Sequence, residues 1–246
     1  MPLDTAPSTP PGLPPGCAWR EFADGAAQAD ALAQIVAQDL RAALAVRETA
    51  SLIVAGGKSP APFFQSLSRA ELDWARVRVS LADERWVPVG APDTNEELVR
   101  GNLLRNAAVA AELVPLLTPA ADASDALPER TEALRALARP FDVVVLGMGE
   151  DGHFASLFPG AEGLADALRA DAAPALVAMT PPAALHRRIS MNLAALLDAR
   201  HIYLSIQGTG KRAALERALR DNRPMELPVS ALLKQMRTPV NVFWSR

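Results

Sequence analysis

The chain has 246 residues, half of them hydrophobic and 22% charged, with a formal net charge of -3. That length suits one large α/β domain or two small ones, and the charge balance excludes the basic excess of a nucleic-acid binder. A single cysteine, Cys17, excludes an intramolecular disulfide and a cysteine-based metal cluster.

Residues 1–16 are rich in proline, which predicts a flexible or extended tail. This stretch lacks the basic start and apolar core of a secretory leader, and no run approaches the roughly 18 apolar residues of a membrane span. A cytoplasmic protein without a membrane partner is therefore expected. A short strand is predicted over Trp19–Phe22, then a helix from Asp24 to about Arg47, with Ala31, Ile35, Val36, Leu40, Ala43 and Leu44 at helical spacing. Ser51–Ala55 reads as a buried strand broken by Gly56-Gly57, and Pro60 opens a short helix to Leu67. Val77–Ala82 is the next strand, ending in Asp83-Glu84-Arg85-Trp86. Thr94 caps a helix running to about Asn106, with Glu97 completing a capping box.

A short strand at Val114–Leu117 and a helix over Asp125–Arg139 follow. The apolar run Phe141–Leu146 is the most strand-like segment of the chain. After its loop come a helix at Gly163–Arg169, a strand at Ala175–Met179 and a partly helical segment at Ile189–Leu197. The strand His201–Ile206 leads through Gly208-Thr209-Gly210-Lys211 into a helix to Arg220, and Val240–Trp244 is the last strand. This alternation predicts a doubly wound, mainly parallel α/β sheet with helices on both faces, as one domain over residues 17–246.

Chemistry-bearing residues cluster where predicted strands end. The loop after Leu146 reads Gly147-Met148-Gly149-Glu150-Asp151-Gly152-His153-Phe154-Ala155-Ser156. A histidine with an aspartate two residues away can be oriented and made a better base. Ser156 lacks the Gly-x-Ser-x-Gly elbow of a serine nucleophile, and no second histidine or cysteine lies at metal-ligand spacing. Only three lysines are present, and two of them, Lys58 and Lys211, fall in glycine-containing turns between a strand and a helix. In Gly56-Gly57-Lys58-Ser59, as in the turn at Lys211, backbone N–H groups, a hydroxyl and a cation suit an anion. Such a turn is also often merely structural. Arg188 offers a guanidinium for bidentate phosphate recognition, with a surface arginine as the plainer reading. Asp83, Glu84 and Arg85 read equally as a structural ion-pair network or as groups positioning a polar substrate.

These segments resemble the glucosamine-6-phosphate isomerase/6-phosphogluconolactonase family. The run from Gly147 to Gly160 is similar to its signature loop, and Asp83–Pro88 with Thr94-Asn95 to its acidic-arginine motif. Arg188-Ile189-Ser190, Gly208–Lys211 and Leu227–Ser230 follow in the expected order. The long run after His153 favours the lactonase branch over the deaminase branch. The first glycine loop departs from the family pattern: Lys58 stands where a hydroxyl residue is usual.

The resemblance implies a sugar-phosphate isomerase-like fold and hydrolysis of 6-phospho-D-glucono-1,5-lactone in the oxidative pentose phosphate pathway, with no metal or organic cofactor. It implies His153, Asp151 and Arg85 as catalytic groups, Arg85 binding phosphate or stabilising developing charge. Gly56, Gly57, Lys58, Ser59, Asp83, Asn95, Arg188 and Lys211 are then the substrate and phosphate contacts. The implied partner is a small sugar-phosphate lactone, met by a monomer or small homo-oligomer. An isomerase-deaminase acting on an amino-sugar phosphate and a catalytically silent sugar-phosphate sensor are the competing readings.

Overall fold

The two apolar runs around Ile53 and Val144 lie side by side at the centre of a seven-stranded sheet in the computed structural model, which describes residues 9–10, 12–57, 59–182 and 185–246. In chain order the elements are β1 (Ala18–Phe22), α1 (Gly25–Val46), β2 (Ala50–Val54), α2 (Ala61–Leu67), β3 (Val77–Leu81), β4 (Asp83–Arg85), α3 (Asn95–Asn102), β5 (Glu112–Val114), α4 (Ala123–Arg135) and β6 (Phe141–Leu146). They continue with α5 (Leu164–Ala167), β7 (Leu176–Met179), β8 (Arg188–Met191), α6 (Leu193–Leu197), β9 (Ala199–Gln207), α7 (Thr209–Asp221), α8 (Val229–Lys234) and β10 (Val240–Ser245). Across the large sheet the order is β1-β10-β9-β6-β2-β3-β5, and all of these pairings are parallel.

Every residue of β2 and β6 is buried, which requires cover on both faces of the sheet. Helix α1 supplies much of it. Its buried residues Ala29, Leu32, Ala33, Val36, Leu40, Ala43 and Leu44 recur at three and four positions, the period of one helical stripe. Asp24 caps that helix by accepting from the Ala27 N–H at 2.8 Å. The predicted Thr94 cap is also present, accepting from the Glu97 N–H at 3.0 Å. From the lead-in, Leu13 packs against the main core. Among the described residues no helix is long and apolar enough to cross a membrane.

The chain leaves the large sheet at Ala82 and forms a second, antiparallel sheet of order β4-β8-β7. Two predictions change here. Asp83–Arg85 is a strand in its own right, and the segment predicted as partly helical from Ile189 divides at Asn192. Strand β8 precedes that residue and α6 follows it, because the Asn192 carboxamide caps the helix by accepting from the Ala195 N–H at 2.9 Å. Helix α3 ends at Asn102, β5 begins at Glu112, and α4 runs from Ala123 to Arg135, each shifted by a few residues from its predicted bounds.

Topology places the site. From β2 the chain moves outward to β3 and β5, and from β6 it moves the other way to β9 and β10. Strands β2 and β6 therefore flank the topological switch point, where open parallel sheets form a crevice beyond the strands' carboxyl ends. The loops at Gly56-Gly57 and Gly147–Gly160 both leave from there.

Candidate active site

A cavity of about 390 Å³ opens at that crevice. Gly56, Gly57, Ser59, Asp83, Arg85, Asn95, His153, Arg188 and Lys211 all line it. Asp151 stands behind His153 and does not reach the wall. Lys58 lies outside the described residues.

The loop after β6 is a tight turn built on glycine. The Gly149 N–H donates to the His153 carbonyl at 2.9 Å, and the Gly152 N–H to the Gly149 carbonyl at 3.0 Å. A Cβ on Gly149 would fall among the Asp151 and His153 side chains, so only glycine admits them both. Gly152 has φ +78 and sits against Leu227, while the Val229 N–H donates to its carbonyl at 2.9 Å. The Leu227–Ser230 segment thus buttresses the histidine loop from outside.

One Asp151 oxygen, Oδ1, lies 2.6 Å from His153 Nδ1 and 3.2 Å from the His153 backbone N–H. A carboxylate only accepts, so the neutral imidazole carries its proton on Nδ1 and keeps the Nε2 lone pair. Burial raises the Asp151 carboxyl, and the hydrogen bond and charge of His153 outweigh it, holding the group below the ordinary carboxylate value. Phe158 stacks on the imidazole with ring centres 4.1 Å apart and planes 24° apart. The ring is held at its edge and on one face.

Ser156 faces elsewhere. Its hydroxyl is buried and donates to Asp83 Oδ2 at 2.6 Å, and its N–H donates to Ser190 Oγ at 3.2 Å. Asp83 is itself buried; desolvation raises its carboxyl above the usual range, against the Ser156 hydrogen bond and the charges of Arg188, Arg85 and His153. Glu84 is fully buried and accepts three backbone N–H groups, from Arg85 at 2.7 Å and from Asn95 and Glu96 at 2.8 Å. Burial still pushes its carboxyl up to about 7.

The cationic side of the cavity draws on three elements. Arg85 on β4 and Arg188 on β8 are paired residues of the small sheet, and Arg85 Nη1 also donates to the Asp93 carbonyl. Desolvation lowers Arg188, opposed by the charge of Asp83, and its buried Nε has no hydrogen-bond partner among the described residues. Lys211, in the first turn of α7, is lowered by desolvation, opposed by Glu150. Asn95 Nδ2 donates to the Asp83 carbonyl at 2.8 Å, which turns its Oδ1 toward Gly56. A Cβ on Gly56 would overlap that carboxamide.

The sequence reading missed the far wall. Gln28, Ser205 and Gln207 line it, with Leu32, Phe63 and Phe64 giving it an apolar lining. Gln28 is buried and spends its carboxamide on Phe243, Ile206 and Ser205, accepting from Ser245 Oγ at 2.8 Å. The available signal was a glutamine on the apolar stripe of α1, next to Ala29. Among the described residues no group of three or more His, Cys, Asp or Glu side chains is placed to hold a metal ion.

A doubly wound α/β sheet whose switch-point crevice holds an imidazole backed by a carboxylate together with half-buried cations is the architecture of a small-molecule site. The sequence profile described as glucosamine-6-phosphate isomerases/6-phosphogluconolactonase matches residues 23–244, and the chain belongs to that family. It is 41% identical over 224 residues to a 6-phosphogluconolactonase of Rhizobium meliloti, covering 91% of this chain and 97% of that one. It is 42% identical over 232 residues to one from Pseudomonas putida, covering 94% of each. A crystal structure of a 6-phosphogluconolactonase from Shewanella baltica superposes with a TM-score of 0.90 at 40% identity, covering 94% of this chain and 98% of that one.

Proposed function

We propose that this protein hydrolyses 6-phospho-D-glucono-1,5-lactone to 6-phospho-D-gluconate, as the 6-phosphogluconolactonases it resembles are named to do. The observation that carries the mechanism is the 2.6 Å contact between Asp151 and His153 Nδ1 beside the cavity. A lactone is an activated ester, so water can attack it without a covalent enzyme intermediate.

His153 Nε2 takes a proton from the water as its oxygen bonds to C1 of the lactone. The carbonyl electrons move onto oxygen, and Arg85 or backbone N–H groups stabilise that oxyanion. Collapse breaks the bond from C1 to the ring oxygen, and the proton on His153 passes to the departing oxygen, which becomes the C5 hydroxyl. Gly57, Ser59, Arg188 and Lys211 hold the 6-phosphate and orient the lactone. The protein does this in the cytoplasm as a monomer or small homo-oligomer, without nucleic acid.

Because the lactone opens spontaneously, the test is acceleration over that background, followed by pH-stat or by coupled oxidation of the product. His153→Ala lowers kcat by about 10² to 10⁴-fold with KM nearly retained. Near-normal turnover by that variant removes His153 as the base. Ammonia release from glucosamine 6-phosphate, with no lactone hydrolysis, would replace the lactonase with the deaminase.

A further inference from the structure

Glu84 does not line the cavity, yet it lies between two residues that do. Side chains alternate along a strand, so on β4 Asp83 and Arg85 share one face and Glu84 takes the other. Asp83 and Arg85 meet the cavity. Behind them, the Glu84 carboxylate reaches the start of α3: Oε1 accepts from Arg85 N and Asn95 N, and Oε2 from Glu96 N. Thr94 already serves the Glu97 N–H, so between them these two side chains satisfy the first three N–H groups of the helix. Asn95 then extends the linkage forward, with Nδ2 on the Asp83 carbonyl at 2.8 Å and its carboxamide against Gly56.

We infer that Glu84 is a positioning residue, whose carboxylate locks Arg85 on β4 and Asn95 on α3 into one rigid unit that fixes the substrate-facing wall between the Asp83–Arg85 motif and the Gly56 loop. It touches no substrate. The inference rests on the lactonase reading for its kinetic readout, and a direct binding measurement keeps the two separable.

Glu84→Gln is the decisive variant. Glutamine keeps the shape but has one acceptor oxygen, so it serves one end of the linkage and sets an NH₂ group against an N–H donor at the other. A neutral side chain in a buried site adds no charge to desolvate, so the fold persists while the geometry shifts. The expected result is a rise of about tenfold in KM for the lactone, kcat within about threefold, and binding of 6-phosphogluconate by calorimetry weakened in parallel with KM. Glu84→Ala, which removes all three hydrogen bonds, exceeds the glutamine variant in the same direction.

Unchanged KM and product binding in folded Glu84→Gln would overturn the inference. So would activity lost only in proportion to unfolded protein, or a variant that does not fold, since each makes Glu84 a purely structural carboxylate. Absence of lactone hydrolysis by the unaltered protein overturns the lactonase reading instead, and binding of 6-phosphogluconate by Glu84→Gln still decides the positioning role.

Discussion

Asp151→Asn isolates what the carboxylate does for His153. The ring has two supports, the 2.6 Å contact to Asp151 Oδ1 and the stack on Phe158 at 4.1 Å. Asparagine leaves the stack and the shape of the loop and removes the charge. A hydrogen bond to an ionised partner contributes about 1.5–3 kcal/mol against about 0.5–1.5 for a neutral one, so the substitution costs about 1–2 kcal/mol of support for the reacting imidazole. That is a factor of about 5 to 30 in rate. A second loss adds to it. The asparagine can present NH₂ to Nδ1, which holds the ring in the tautomer with its proton on Nε2, unable to accept from water. Together the two effects lower kcat by about 10²-fold, below the 10⁴-fold ceiling of general-base help. KM stays within about threefold, because Asp151 is not on the cavity wall. The assay is initial-rate lactone hydrolysis corrected for spontaneous opening, with the melting temperature measured alongside. Asp151 is half exposed, so the melting temperature moves little. A kcat within threefold of the unaltered protein would refute the orienting role, and a parallel rise in KM would move Asp151 into substrate binding.

The remaining predictions concern the cations and the buried carboxylates. Arg188→Met and Lys211→Met each raise KM for the phosphorylated lactone by about 10 to 100-fold, the worth of a charge-assisted contact, and leave the slow turnover of unphosphorylated gluconolactone unchanged. Equal effects on both substrates would remove these residues from phosphate binding. Glu84 is raised from 4.5 to about 7 by burial. A raised carboxyl contributes stability that is fully present below the unfolded value and is lost as pH rises through the folded one. The unaltered protein therefore loses about 3 kcal/mol relative to Glu84→Gln between pH 4.5 and 7, read as converging or crossing melting temperatures. A gap that stays constant from pH 5 to 8 would show that Glu84 does not titrate there.

How much of this was legible in the sequence follows from how each part is encoded. The parallel sheet was readable because β2 and β6 are buried on both faces and so appear as unbroken apolar runs. The histidine loop was readable because glycine, carboxylate and imidazole at a strand end are an unusual combination. Of the small sheet only β7 was readable, predicted at Ala175–Met179 and found at Leu176–Met179. Asp83, Glu84 and Arg85 are all polar, and they form a strand only because their costs are met by distant partners: Ser156 for Asp83, the start of α3 for Glu84, and paired β8 for the backbone. No local period announces that. Asn192 marks a boundary for a different reason: its cap on the Ala195 N–H three residues on is local, and an asparagine just before the apolar run Leu193–Leu197 was the signal for it. Ala155 is a further case, an alanine held at φ +47 inside the site loop, where composition suggests no departure from ordinary backbone. Gln28 was hidden by ambiguity, because a glutamine in an alanine-rich helix reads as surface.

On the proposed lactonase reading, the small sheet also supplies a reason for a phosphorylated substrate to be preferred. Arg85 and Arg188 are directly paired across β4 and β8, and like charges facing one another on a sheet repel. The charge of Arg85 works against Arg188, and burial of that guanidinium adds to the cost. Asp83 offsets part of it through charge alone: its Oδ2 accepts from Ser156 at 2.6 Å and its Oδ1 from Asn95 Nδ2 at 3.5 Å, and among the described residues it makes no hydrogen bond to either arginine. Arg188 Nε keeps a buried donor without a partner among the described residues, and Lys211 brings a second desolvated cation from the first turn of α7. A phosphate dianion relieves all three terms at once: it screens the repulsion, restores lost solvation and accepts the spare donor. A neutral sugar lactone can accept the spare donor but screens no charge. On the proposed lactonase reading, discrimination for the phosphorylated substrate is expected to draw on the unfavourable charge pairing at Arg188, and Arg188→Met is expected to relax it while easing the fold's own electrostatic strain.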